Sequence, residues 1–245
     1  MYEERPARLD GAVVWTLTPP PAGEDPVPVL PDGCMDLIWH EGRLFVAGPD
    51  TGVYVPDGEP GRYAGIRFAP GDAPALIGVP ASALRDRRVG LGALWGDARA
   101  RRLAERVSAA PDPAAALENL AVHRAADAPD PDPVIRAVAR RLAAGRPVAE
   151  TADAVGLGAR QLHRRSLDAF GYGPKTLARI LRLQRALALV RAGVPYAEAA
   201  LRAGCADQAH LARETRALAG TTLSAYASAW AKRETPQPSG SSTTA

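Results

Sequence analysis

The feature that most constrains this chain is a pattern that occurs twice, with its key glycines, Gly156 and Gly204, 48 residues apart. Ala149 to Val155 reads as a short helix, Gly156-Leu157-Gly158 as a tight turn, and the residues that follow as a helix through Phe170. Ala199 to Ala203, Gly204 and a helix through about Leu218 repeat the layout, with one extra residue in the second turn. In that register Leu162 matches Leu211, Arg164 matches Arg213, Ser166 matches Thr215 and Gly171 matches Gly220. A helix, a glycine turn and a second helix with a buried leucine is the layout of a helix-turn-helix. One copy arises easily by chance; two at a fixed offset are much harder to dismiss. Ala152 is small where the two helices of the first unit would cross. Gly156 suits a turn residue with positive φ. Between the units, Pro174 to Ala192 reads as one long helix, opened by a proline and closed by Gly193 and Pro195.

The rest of the chain has a different character. Short apolar runs at Ala12–Trp15, Asp36–Trp39, Arg43–Val46, Val53–Val55 and Tyr63–Phe68 are separated by proline and glycine turns, which predicts a β-rich front. Many short strands of this kind suggest a small barrel or sandwich, a cupin-like one included. Two helices are expected after it, over 98–109 with Asp97 as N-cap and over 114–126. Pro129-Asp130-Pro131-Asp132-Pro133 breaks helix and stiffens the chain, so 129–133 reads as a linker. The expected organisation is α+β: a regulatory domain over 1–128, an all-α domain over 134–230, and a disordered polar tail over 235–245.

Charge follows the same division. Residues 1–131 carry 13 Arg against 19 Asp and Glu, a balance of −6, whereas residues 132–235 carry 17 Lys and Arg against 8 acids, a balance of +9. A basic half joined to an acidic half is expected when only one half meets a polyanion. Two cysteines exclude a disulfide framework, and Cys34 and Cys205 read as thiols in a reducing cytoplasm. No apolar run is long enough to span a membrane, and the first residues do not read as a signal peptide.

Residues 132–230 resemble the AraC/XylS-type DNA-binding domain. Leu162-His163-Arg164 through Gly171 and Pro174 resembles its first signature. Arg182-Leu183, Ala186 and Leu189 resemble the connecting helix, and Gly204 through Arg213 with Gly220 the second signature. The family usually has an aromatic where Ser166 and Thr215 stand and proline where Leu223 stands, which predicts a less tightly packed core here. The front half, with Pro31 to Trp39, Gly48-Pro49-Asp50-Thr51 and Leu94-Trp95-Gly96, resembles an uncharacterised domain often found before this module. The resemblance implies a cytoplasmic, nucleoid-associated transcription regulator that binds double-stranded DNA. RNA polymerase, a small-molecule effector and a second copy of the chain are the further partners it brings into view.

With Leu162 turned inward, Arg160 and Arg164 fall nearly opposite it and His163 flanks them. The resemblance implies that these three face the major groove, where arginine can pair bidentately with guanine. On the second helix the matching face is Gln208, Ala209, Ala212 and Arg213. Glutamine can read adenine and alanine can touch a thymine methyl, so weaker readout is expected there. Arg179, Arg182 and Arg185 on the connecting helix are candidate phosphate contacts, with internal pairing as the alternative. The connecting helix would be about 28 Å long, enough to hold two recognition helices roughly one DNA turn, about 34 Å, apart.

Cys34, Asp36 and His40 would share one strand face with Ile38, and a buried thiol with a turn-capping carboxylate accounts for the first two. Neither a catalytic residue, a metal nor a cofactor is expected. A DNA-repair alkyl-transfer enzyme uses the same helix pair but needs a zinc-bound cysteine among about four. Two cysteines argue against it. Small-molecule sensing is the leading role for residues 1–128, with dimerisation or polymerase contact second. Trp15, Trp39, Tyr54, Tyr63 and Phe68 can line a pocket or simply form core.

Overall fold

The computed structural model describes residues 1–18, 28–56 and 61–231. The expected tail over 235–245 lies outside them. The chain is α+β: an antiparallel sheet leads, and eleven α-helices follow or interrupt it among the described residues. Strands β1 (Tyr2–Pro6), β2 (Val13–Leu17), β3 (Met35–His40), β4 (Arg43–Ala47), β5 (Tyr63–Phe68) and β6 (Arg88–Gly90) pair in the order β1-β2-β5-β3-β4-β6.

The second layer of this half is helical. Val14, Leu37, Val46 and Ile66 project from the sheet onto Val107 of α3 (Asp97–Ser108) and Leu117 of α4 (Pro113–Ala126). Side chains alternate along β3, so Leu37 and Trp39 join that core while Ile38 turns to the other face with Asp36 and His40. Trp15, Tyr2 and Ala47 pack there with Ile38. The aromatic residues therefore divide: Trp39 and Phe68 face the helices, Trp15 and Tyr63 the opposite side, and Tyr54 lies 3.8 Å under the Arg88 guanidinium.

Two local expectations are corrected. Val53–Val55 is not a strand; Tyr54 makes only an isolated bridge with Val29. Asp97 is the first residue of α3 rather than its cap. Gly96, with φ of 84°, takes the cap position, and the carboxylate stays in the first turn, where the helix dipole favours it. Short helices α1 (Ala73–Ile77) and α2 (Leu91–Trp95) complete this half.

After residues 129–132, helix α5 (Pro133–Ala143) opens with proline at its first position and Asp132 as cap, its carboxylate accepting from Val134 N at 2.9 Å. Then come α6 (Val148–Ala154), α7 (Ala159–Phe170), α8 (Pro174–Arg191), α9 (Tyr196–Ala203), α10 (Gln208–Ala219) and α11 (Leu223–Ala231). Gly156 and Gly204 hold φ of 67° and 85° at the two turns, a region that side chains with Cβ avoid. Ile135, Leu142, Leu162, Leu177, Leu187 and Leu211 form one apolar core. Ser166 and Thr215 are fully enclosed in it. Thr215 Oγ1 donates to Leu211 O at 2.9 Å, while the Ser166 hydroxyl is buried without a partner.

The two halves pack directly on each other. Leu30 from the front half belongs to the C-terminal core. Beside it, Gln184 Nε2 on α8 donates to Pro31 O at 2.6 Å. Gly33 lies so close to α8 that a Cβ there would stand 2.9 Å from Leu177 Cδ1. At the other end of the seam, Arg136 of α5 binds Asp72 at 2.7 Å and Asp10 at 3.2 Å. Among the described residues no helix is long and apolar enough to cross a membrane.

Candidate nucleic-acid interface

The amphipathic pattern of α7 decides which way its arginines point. Leu162, Ser166 and Phe170 are buried, one turn apart, and Arg160, His163 and Arg164 are exposed on the outward side. Among the described residues, nothing pairs with the side chains of Arg160 or Arg164; Asp153 and Asp168, the nearby acids, do not engage them. Two guanidinium groups are thus held free on one helix face. His163 is placed differently. Its ring lies over the turn after α7, where a Cβ on Gly173 would come within 2.7 Å of it. Arg165, on the flank, binds Asp132 at 3.0 Å and so ties α7 to the start of α5.

Helix α10 has the same inward pattern, with Leu211, Thr215 and Leu218 buried, and it exposes Gln208, Ala209, Ala212 and Arg213. Its start is well capped: Asp207 Oδ1 accepts from His210 N at 2.6 Å. The outward face of α10 thus holds one cation, Arg213, where that of α7 holds two, Arg160 and Arg164.

On the connecting helix, Arg179, Arg182 and Arg185 show the internal pairing that is the alternative to phosphate contact. Arg179 clasps Glu214 of α10 through Nε and Nη2, both at 3.0 Å, and Arg182 lies 3.6 Å from the same carboxylate. Burial pushes Glu214 up, but the two arginines prevail and hold its carboxyl below the ordinary value. Arg185 donates to the Leu142, Ala143 and Ala203 carbonyls at 3.1, 2.7 and 3.1 Å, stapling the ends of α5 and α9 to α8. The reason is geometric: the unpaired carbonyls at a helix C-terminus and a half-buried glutamate both lie within reach, and an arginine fork satisfies several acceptors at once. Glu214 was not singled out in the sequence because its partner lies 35 residues away, beyond any local signal.

In the front half, a buried polar cluster lies against the same module. Arg67 Nε stands 3.3 Å from Asp32 and 3.6 Å from Asp36, and Trp15 Nε1 donates to Asp36 at 2.6 Å. Burial pushes the Asp36 carboxyl up to about 6 despite the opposing pull of Arg67. The buried Cys34 thiol is pushed well up by burial and by the neighbouring Asp32. Tyr172, just after α7, is also buried here; among the described residues its hydroxyl has no hydrogen-bond partner, and burial raises its pKa well above the ordinary value. Among the described residues no group of three or more His, Cys, Asp and Glu is placed to hold a metal.

Comparison with known proteins agrees with this layout. Residues 151–229 match a helix-turn-helix domain family, and residues 12–90 match a domain of unknown function, DUF6597. Residues 151–229 are an AraC-type helix-turn-helix domain, carried behind a DUF6597 domain. A probable AraC family transcriptional regulator from Rhodopseudomonas palustris is 25% identical over 40% of this chain and 98% of its own, with a TM-score of 0.36. ToxT from Vibrio cholerae is 8% identical over 91% of this chain and 98% of its own, with a TM-score of 0.49. ToxT bound to (E)-4-(8-methylnaphthalen-1-yl)but-3-enoic acid is 11% identical over 94% of this chain and 99% of its own, with a TM-score of 0.44. No protein of curated function matches the chain.

Proposed function

We propose that residues 134–230 read two successive major-groove segments on one face of duplex DNA, and that residues 1–128 adjust this binding in response to a small molecule. The observation that carries the reading is the pair of outward helix faces, above all the unpaired Arg160 and Arg164 on α7. Arg160 and Arg164 contact bases, with His163 beside them at the turn. Gln208, Ala209, Ala212 and Arg213 give a weaker second reading. Arg179 and Arg182 serve DNA binding indirectly, by fixing α10 on α8, and Arg185 by holding the helix ends together. With 18 residues, α8 is about 27 Å long, suited to recognition helices about one DNA turn apart.

The direct packing of the front half on α8 supports the regulatory part of this reading, because a change in the sheet domain has a contact to act through. The chain acts by binding rather than by catalysis: Cys34 is buried and its thiol held protonated, the opposite of an activated nucleophile. The test is binding of the full chain to its selected DNA sequence across salt concentrations. If about 6 phosphates are neutralised, log K should fall against log salt with a slope of about −5. Affinity that stays flat from low to physiological salt would remove the DNA-binding reading.

A further inference from the structure

Between the two halves lies a cavity of about 210 Å³. Its walls come from the turn between β1 and β2, the end of β5 with the loop after it and α1, the C-terminal end of α4 with residues 128–131, and Arg136 of α5. The space exists because small residues line it. Ala12, Ala69, Ala125 and Ala128 stand where larger side chains would close the seam, with Phe68 and Leu76 supplying the broader apolar surface. Apolar surface of this kind is stabilised when an occupant with an apolar body covers it.

The polar groups around the cavity set the charge of the occupant. Arg136 is already neutralised: Nε lies 3.1 Å from Asp72 Oδ1, and Nη2 is 2.7 Å from Asp72 Oδ2. Asp72 is itself buried. Two further carboxylates, Asp10 and Asp130, line the cavity and leave it with a net negative balance. Among the described residues Asp10 is held only through Arg136 Nη1 at 3.2 Å, and its side chain is 88% exposed. It can therefore turn towards a new cation without a large loss.

We propose that this seam cavity binds a small molecule with an aromatic or aliphatic body and one ammonium group. The body fills the alanine-lined space and the ammonium is held by Asp10 and Asp130. The cavity wall includes the 129–131 segment and Arg136, so an occupant touches both halves and the chain that joins them. This assignment rests on the proposal that the front half responds to a small molecule, and it places that response at the seam rather than within the sheet.

The test uses the full chain and three probes of similar shape: phenethylamine, 3-phenylpropionate and ethylbenzene. Phenethylamine is expected to raise Tm in a dose-dependent way. The carboxylate should give no shift and the neutral hydrocarbon a smaller one. Ala125→Phe should abolish the amine effect by filling the space. Asp10→Asn combined with Asp130→Asn should reduce it to the level of ethylbenzene, with each variant's starting Tm checked for folding. A shift with the carboxylate as large as with the amine, or an amine effect that survives Ala125→Phe, overturns the assignment. DNA affinity is measured separately, with and without the amine. Binding at the cavity that leaves DNA affinity unchanged would defeat the regulatory reading while leaving the site intact.

Discussion

The two recognition units share a backbone plan and differ in what holds them. The first ends in Phe170, which is fully buried and packs so close to the front half that a Cβ on Gly71 would stand 2.9 Å from its ring. The position matching Phe170 in the second unit is Ala219. That unit is instead buttressed from within its own domain, through Glu214 and the arginines of α8. The first unit thus carries two free arginines and is anchored on the regulatory half, whereas the second carries a thinner reading face and is anchored on the connecting helix. On the proposed function, sequence reading and responsiveness would fall on the same unit.

Breaking the first anchor should have the largest effect. Phe170→Ala removes a buried ring from the seam and should lower stability by about 3–5 kcal/mol, read as the urea midpoint of the full chain. The first unit's advantage in readout is sharpened by Arg164→Ala. It should cost about 1–3 kcal/mol on the preferred sequence and relax preference in one half of the site, visible in a selection from random DNA. An unchanged preferred sequence would show that α7 does not lie in the groove as proposed. For the second unit, Glu214→Gln weakens a clasp whose arginine is half exposed, so a loss of only about 1 kcal/mol is expected. Its signature is blurred preference in the other half of the site alone.

The last effect is one of slope. Folded Asp36 keeps its proton up to about pH 6, while an unfolded aspartate loses it near 3.8. Between those values the folded state binds more protons, so this group makes stability fall as pH rises through the window and adds no slope above it. Asp36→Asn retains an acceptor for Trp15 Nε1 and should flatten the decline. Tm measured from pH 4 to 7 on both proteins reads the difference in slope.

How much of this was legible in the sequence depended on whether the signal was local. The helices of the C-terminal half announce themselves through leucines at helical spacing and glycines at fixed turns, so the buried and outward faces of α7 and α10 could be told apart. Strand β1 could not. Its sequence, Tyr2-Glu3-Glu4-Arg5-Pro6, is mostly exposed, and it is a strand because its backbone pairs with β2 at the sheet edge. Sheet edges need little apolar alternation. The partners of Arg136, Arg179 and Arg185 were hidden for the same reason: each lies tens of residues away, and only the packed helices bring them together. Similarly, the prolines at 129–133 mark a break in helix but give no sign that the halves on either side touch.

The contact between Pro31 and Gln184 joins residues 153 apart, and that distance is also an interval of time. At about 5–20 residues per second, Gln184 follows Pro31 from the ribosome by roughly 8–30 s. The sheet domain is synthesised first and can fold in that interval, but Leu30 has no core to enter until α8 has been made. Leu30 and its loop therefore stay uncovered on the nascent chain until α8 has been made, and the seam closes only after that point in synthesis.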